Sequence, residues 1–429
     1  MEGAGARWLD LAPFLTRESP LAADGFEPGP DLLAFLREEC RVLVVGAGGL
    51  GCELLKDLAL SGFGRLDVID MDSIDPTNLN RQFLFHPEDV GKSKAEVAAA
   101  RLARRVEGVA VTAHHAAIQD LPRDFYRQFD IIVLGLDSLE ARRYMNAVAC
   151  SFLEYDENGL PDVATVKPLV DGGTEGLKGH ARVLLPGITP CFECTLWLFP
   201  PQVKFPLCTL AETPRSAEHC IEYAKIALFP DAHPDEAFDA DNDAHMLWIY
   251  EAALARAERY GIPGVTYRLT QGVAKNIIPA IASTNAFVAA ICALEVFKLA
   301  TLCCGNLDNY LMYSGSDGVY TLTTKYERDE DCPVCGPGVL LEVSPLATLV
   351  EVLEAVAAHP LLSSRVTSPS ISHGARNLYL RGALESSFRH NLPVPIRTLV
   401  GDAPVVLTVN DRRLSAPIKV RLRWKPDGG

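Results

Sequence analysis

The residues best placed to do chemistry begin with a glycine-rich run. Gly46-Ala47-Gly48-Gly49-Leu50-Gly51 lies between a β-branched stretch, RVLVVG, and a stretch of helical period, LGCELLKDLALSG. Glycines at that spacing let a backbone approach a phosphate, and the helix start offers free N–H groups and a positive dipole. Asp70 ends the next strand-like run, RLDVID, where a carboxylate can accept ribose hydroxyls. The pattern says nucleotide without saying which one, since a nicotinamide-dependent oxidoreductase carries the same fingerprint. The segment DMDSIDPTNLNRQFLF then places Asp72, Asn78, Arg81 and Gln82 beyond that strand, with Lys94 on the following helix. Two cations there suit a triphosphate, and Asp137, closing the run FDIIVLGLD, is placed to hold Mg²⁺. Hydride transfer needs none of these, although each residue taken alone is more often a solvated charge or a cap.

The cysteines form the second group. Cys191-x-x-Cys194 and Cys332-x-x-Cys335 are paired knuckles, and four thiolates suit a closed tetrahedral Zn²⁺ site, which is structural because no coordination position stays open. The long gap between them means that the metal ties distant chain segments together; a redox role for either pair is the alternative. Cys40, Cys52, Cys150, Cys292, Cys303 and Cys304 lie in or beside apolar runs and read as inert core residues. Cys208 and Cys220 stand in the irregular segment FPLCTLAETPRSAEHCIEY, where a thiol can be accessible. Chemistry alone does not choose between them, and His219 would even favour Cys220.

These groups need elements to carry them. From Arg41 the chain alternates strand and helix signals: RVLVVG, then LGCELLKDLALSG, RLDVID, KSKAEVAAARLARRV, FDIIVLGLD and LEARRYMNAVACSFL. Such alternation implies a parallel sheet with helices on both faces. After Pro186 a Pro- and Cys-rich stretch reads as an ordered loop or crossover. An acidic segment follows, with Asp231, Asp235, Glu236, Asp239, Asp241 and Asp243, and reads as a solvated loop. A helix around Ile277 to Leu302 returns the chain to a core, and after Gly336 one helical run and several strand-like runs suggest a small α+β module. The run Asn276 to Leu294 contains Pro279, Ser283, Thr284 and Asn285, so it is expected as a buried helix rather than a membrane span. The N-terminus shows no secretory signal core, which predicts a reducing compartment. Lys+Arg is 40 against Asp+Glu 55, a net charge of -15 in 429 residues, which argues against a nucleic-acid binder and suits a basic protein partner.

As a set, these residues resemble the activating enzymes for ubiquitin-like proteins. The resemblance runs from GAGGLG through DMDSIDPTNLNRQFLF, GLDSLEARR and DGGTEG to the two C-x-x-C pairs and RLTQG, in the family's order. WLFPPQV, FPLCTL, EHCIEY, GVTYRLTQGV and the C-terminal module resemble more narrowly the catalytic subunits of heterodimers that activate the Nedd-type (plant Rub-type) modifier. The resemblance implies an α/β fold in three parts. A Rossmann-like adenylation domain over 8–207 and 265–340 would carry the ATP and zinc sites. A mostly helical catalytic-cysteine domain would be inserted over 208–264, and a C-terminal β-grasp (ubiquitin-fold) domain over 345–429 would recruit the conjugating enzyme.

The chemistry implied is adenylation of the modifier's C-terminal glycine by ATP·Mg²⁺, thioester formation on a cysteine, and transfer to the conjugating enzyme's cysteine. The family's P-x-C-T pattern falls here on Pro206-Leu207-Cys208-Thr209, so the resemblance selects Cys208. Position by position, Asp70 would hold the ribose and Gly46 and Gly48 would line the phosphates. Asp72, Asn78, Arg81, Gln82 and Lys94 would surround the triphosphate, with Asp137 near Mg²⁺. Arg182, in KGHARVLLP, matches the position at which Nedd-type enzymes carry an arginine that repels the arginine of ubiquitin's tail; the plain alternative is a surface cation at a strand start. The expected partners are a homologous, catalytically inactive subunit supplying a further arginine, the modifier, and its conjugating enzyme, with no nucleic acid and no membrane. Residence in cytoplasm and nucleus is expected from the family. A SUMO-type subunit and a sulfur-carrier adenylyltransferase are the neighbouring alternatives; a nicotinamide oxidoreductase and a non-catalytic scaffold subunit are the distant ones.

Overall fold

Valines and leucines enclosed on both faces mark the centre of the molecule. In β1 (Arg41–Val45) the side chains from Val42 to Val45 are all buried, as a central parallel strand covered by helices on both sides requires. In the computed structural model β1 pairs in parallel with β2 (Arg65–Ile69) and with β4 (Ile131–Leu134), and β2 pairs in parallel with β3 (Ala110–His114). β5 (Leu169–Glu175) joins β4 in parallel, and β6 (Lys178–Leu184), β7 (Tyr310–Ser314) and β8 (Tyr320–Thr324) extend the sheet antiparallel. The order is β3-β2-β1-β4-β5-β6-β7-β8. The structure describes residues 7–156, 160–199, 213–234, 236–239, 242–274, 281–330, 332–363, 366–374, 376–382, 384–401, 405–414 and 417–425. Cys208 lies outside them.

Three helices follow the parallel strands as the alternation predicts: α1 (Gly49–Leu60), α2 (Lys94–Arg105) and α3 (Leu139–Ser151). Ser93 and Ser138 cap the last two, each accepting a hydrogen bond from a first-turn N–H. The chain divides into two compact units, Met1–Leu198 with Ala280–Gly429, and Phe199–Pro279. The second is built on α4 (Ala217–Tyr223), α5 (Asp243–Tyr260) and α6 (Tyr267–Ala274), around Cys220, Ile221, Phe229, Ile249 and Ala253. It is wider than the 208–264 read from the sequence. Leu269 and Val273 of α6 pack on this same core, and Lys225 Nζ donates to the Ala274 carbonyl at 2.8 Å. The acidic segment is more than a solvated loop: the Glu236 carboxylate accepts from His245 Nε2 at 2.9 Å, and His245 Nδ1 accepts from the Asp239 N–H at 3.0 Å. Asp243 sits in the first turn of α5, where its charge complements the helix dipole. Asp235 and Asp241 lie outside the described residues.

Helix α7 (Ala282–Thr301) is long and apolar enough to cross a membrane by length and composition, yet Val288, Ala289, Cys292 and Val296 are completely buried in the main core. It lies on β5, β6 and α1. The glycines of DGGTEGLKGH make room for it: a Cβ on Gly172 would lie 3.0 Å from Cys292 Sγ, and one on Gly179 2.6 Å from Val288 Cγ2.

The C-terminal part has its own core and sheet. β9 (Val339–Val343), α8 (Leu349–Ala358), β10 (Ser370–His373), β11 (Arg376–Tyr379), β12 (Val405–Asn410) and β13 (Ile418–Trp424) form a mixed sheet in the order β11-β10-β12-β13-β9. Buried residues alternate along β12 and β13, and Val352 and Val356 of α8 join Leu407, Val409 and Val420 in its core. A start at 345 leaves out β9, which pairs in parallel with β13 from Val339 onward; the domain therefore begins there.

Candidate active site

The glycine run sits at the carboxyl end of β1, where α1 starts. Gly46 has φ +100°, and a Cβ on it would lie 2.7 Å from the Gly135 carbonyl oxygen at the end of β4. At Gly51 a Cβ would lie 1.9 Å from the Gly46 oxygen, so the tight strand-to-helix turn admits no side chain at either position. Asp70 ties this loop to the end of β2: its Oδ2 accepts from the Ala47 N–H at 2.7 Å and its Oδ1 from the Asp72 N–H at 2.8 Å. Burial raises the pKa of this carboxyl, and the two N–H bonds work against that rise. The residue read from the sequence as a ribose ligand holds the glycine loop in shape.

The charged residues gather beside it. Lys94, buried at the first turn of α2, extends Nζ to the exposed Asp72 carboxylate at 2.8 Å. Asn78 closes a single helical turn, its Oδ1 accepting from the Asp75 N–H at 2.9 Å. Arg81 donates to the Thr77 carbonyl at 2.9 Å, and its Cγ would lie 3.5 Å from a Cβ on Gly49. Gln82 is buried with Nε2 toward Gly48, and its Oε1 has no hydrogen-bond partner among the described residues. Asp137 stands exposed just past β4, directly before the Ser138 cap. A side-chain-free turn, a helix N-terminus and an enclosed lysine fit a polyphosphate.

The sequence reading missed Asn285 and its partner Thr174 here. Asn285, buried in the first turn of α7, accepts from Thr174 Oγ1 at 2.7 Å, and its Nδ2 would be 2.3 Å from a Cβ on Gly49. The signal was available as a polar pair, Thr284-Asn285, opening an otherwise apolar helix.

Arg182 is not a surface cation. It is buried in β6, with Nε on Asp171 Oδ2 at 2.9 Å, Nη1 on Thr195 Oγ1 at 3.0 Å, and its guanidinium 4.3 Å from the centre of the Phe192 ring. Asp171 also accepts from Arg142 Nε at 2.9 Å, while Arg142 Nη2 reaches the carbonyl oxygens of Leu136 and Gly172. Burial alone would raise the Asp171 pKa; the two guanidiniums overcome this and hold it well below the usual carboxylate range. Burial keeps the neighbouring His180 below its ordinary value, in its neutral form.

The cysteine knuckles do meet. Cys191 Sγ lies 3.8 Å from the sulfurs of Cys194 and Cys332, and Cys194 Sγ lies 3.5 Å from that of Cys335. Tetrahedral Zn–S bonds of about 2.3 Å put sulfurs about 3.8 Å apart, so the four thiols fit a zinc ion as they stand. Arg143 grips Glu193 between the first two ligands, at 2.9 and 2.6 Å, and Asn146 Oδ1 accepts from the Phe192 N–H, which fixes the knuckle to α3.

Among the remaining thiols, Cys220 is enclosed in the α4–α5 core and desolvation raises its pKa, opposite to what a nucleophile needs. Cys40 and Cys52 are fully buried and pushed up to about 12, chiefly by burial, as inert core residues should be.

Residues 29–334 match the ThiF family, and residues 342–424 match the E2 binding domain. The NEDD8-activating enzyme E1 catalytic subunit of Arabidopsis thaliana is 57% identical over 91% of this chain and 86% of its own length. The chain belongs to the ThiF family, among the NEDD8-activating E1 catalytic subunits. The corresponding subunit of Dictyostelium discoideum is 49% identical over 98% of this chain and 97% of its own. By contrast, a SUMO-activating enzyme subunit 2 of the same organism matches at 41% over 49% of this chain and 30% of its own length. Membership of the ThiF family implies use of ATP, and the E2 binding domain implies a conjugating enzyme as partner.

Proposed function

We infer that this chain activates a Nedd8-type modifier, adenylating its C-terminal glycine and then carrying it as a thioester on Cys208. The observation that carries the reading is the buried Lys94, paired with the exposed Asp72, beside a glycine turn closed to side chains, in one chain with a conjugating-enzyme domain. The α1 N-terminus and Lys94 bind and orient the triphosphate, and their fixed positive ends favour the charge that develops as pyrophosphate leaves. Asp72 holds the Lys94 ammonium in place until phosphate oxygens compete for it. Asp137 and Asp72 would hold Mg²⁺, which would neutralise phosphate charge when bound. A thiol attacking an acyl-adenylate needs access more than a strong neighbouring base, which the core-bound Cys220 lacks. The partner subunit, by this reading, adds the remaining cation to the triphosphate, and Zn²⁺ in the four-cysteine site has a structural role. Selection of the modifier by Arg182 belongs to the same proposal, with its guanidinium acting from the Asp171 network.

The test is a non-reducing gel of the chain with its partner subunit, ATP·Mg²⁺ and, separately, ubiquitin, SUMO and a Nedd8-type modifier. A thiol-sensitive adduct with the Nedd8-type modifier alone is expected. Cys208→Ala should abolish it while ATP–pyrophosphate exchange continues. A persistent adduct in Cys208→Ala would overturn the assignment.

A further inference from the structure

Asn285 is an amide where an apolar residue would serve packing better. It is 3% exposed, in a helix whose inward residues include Val288, Ala289, Cys292 and Val296. A buried carboxamide is costly unless its groups are bonded. One is: Oδ1 accepts from Thr174 Oγ1 at 2.7 Å, which turns the NH₂ end toward the glycine loop. Nδ2 then lies beside Gly49, the first residue of α1, and among the described residues no acceptor takes its protons. Thr284, one residue earlier, donates to the Gly176 carbonyl at 2.9 Å and pins the start of α7 to the turn between β5 and β6. The same point beside Gly49 is bordered by the Arg81 side chain and by the N-terminal amides of α1. An oriented amide donor and a helix N-terminus, with the aliphatic part of Arg81 alongside, therefore converge where an oxygen bearing negative charge is best received.

We propose that Asn285 is a substrate-contacting residue of the adenylation step, held by Thr174 so that its NH₂ donates to an oxygen at the junction between the acyl group and the α-phosphate. The proposal rests on the adenylation reading. The oxygen belongs either to ATP or to the modifier's C-terminal carboxylate, and the two sources separate in the test.

The heterodimer is prepared with Asn285→Asp, Asn285→Ala and Thr174→Val. ATP–pyrophosphate exchange is measured with ATP and modifier varied in turn, alongside ATP binding by calorimetry and the melting temperature. Asn285→Asp keeps the size and the Thr174 bond but replaces the donor with an acceptor. It is expected to melt like wild type and to lose exchange by about 100-fold, the scale of removing one preorganised donor. A weakened ATP Kd assigns the oxygen to the nucleotide; an unchanged Kd with a fallen kcat or a raised modifier KM assigns it to the acyl tail. Thr174→Val, which frees the amide, should fall between Asn285→Asp and wild type. Full exchange by Asn285→Asp, or losses that track melting temperature across all three variants, would make Asn285 a packing residue and overturn the proposal. A wild-type heterodimer that supports no exchange would instead overturn the adenylation reading.

Discussion

Asp171 presents one buried carboxylate to two guanidiniums, and this arrangement gives a quantitative prediction. Arg142 and Arg182 each donate Nε at 2.9 Å to a different oxygen of Asp171, and all three residues are buried. Replacing Asp171 by Asn keeps the shape but leaves two enclosed cations facing a neutral amide. Removing one partner from a buried ion pair costs about 3–5 kcal/mol. Arg182→Met alone leaves the matched pair Asp171–Arg142 and should cost less. In the Asp171→Asn background, Arg182→Met removes one of the two stranded cations and should recover part of the loss, an interaction of about 1–3 kcal/mol in a double-mutant cycle. The cycle is read from urea unfolding of the heterodimer at matched subunit concentration. The pH dependence has a definite sign. The folded pKa of Asp171 lies below its unfolded value of about 3.9, so its contribution is full above that value and is lost as pH falls through the folded pKa. The cost of Asp171→Asn should therefore be constant from about pH 5 to 8 and shrink only in stronger acid. A loss below about 1 kcal/mol, or no recovery on adding Arg182→Met, would refute the charge argument. Function should follow, because Arg142 also holds the Leu136 carbonyl, one residue before Asp137.

Lys94→Met should lower ATP–pyrophosphate exchange by about 100-fold with little change in modifier binding, since the lysine is buried beside the glycine loop proposed to receive the triphosphate. Elemental analysis should find about one zinc per chain, and Cys332→Ser should lose it together with several degrees of melting temperature, because the site closes segments that sequence keeps far apart. Arg182→Gln should let the heterodimer form a thioester with ubiquitin, seen on the non-reducing gel, while also lowering stability through Asp171; a stable variant still refusing ubiquitin would remove Arg182 from modifier selection. Brief alkylation of the native protein at pH 8 followed by mass spectrometry should leave Cys220 unmodified, since burial raises its pKa.

Much of this was legible in the sequence, and what was legible was local. GAGGLG between a β-branched run and a helical one is a strand, turn and helix whose steric demands are met by neighbours within the same few residues. Asp70, Asp72 and Lys94 follow from strand ends and helix starts in the same way, and each C-x-x-C is a knuckle by spacing alone. β7, β8 and β9 carry strand-forming residues, but their pairing was not legible, because the sheets join the β7–β8 pair and β9 to segments distant in sequence. The placement of α6 was equally hidden until its apolar side met α4 and α5. Arg182 and Asn285 show the difference most plainly. One-dimensional spacing makes the first a cation near a strand start and the second a polar residue in a helix. Only the packing of α7 on β5 brings Asn285 against Thr174, 111 residues away, and only the adjacency of β5 and β6 surrounds Asp171 with guanidiniums. Side-chain period and turn chemistry are properties of neighbouring residues and are written in the sequence. The partner of a buried charge or amide is set by which distant surfaces exclude water together, and that was decided by the tertiary fold.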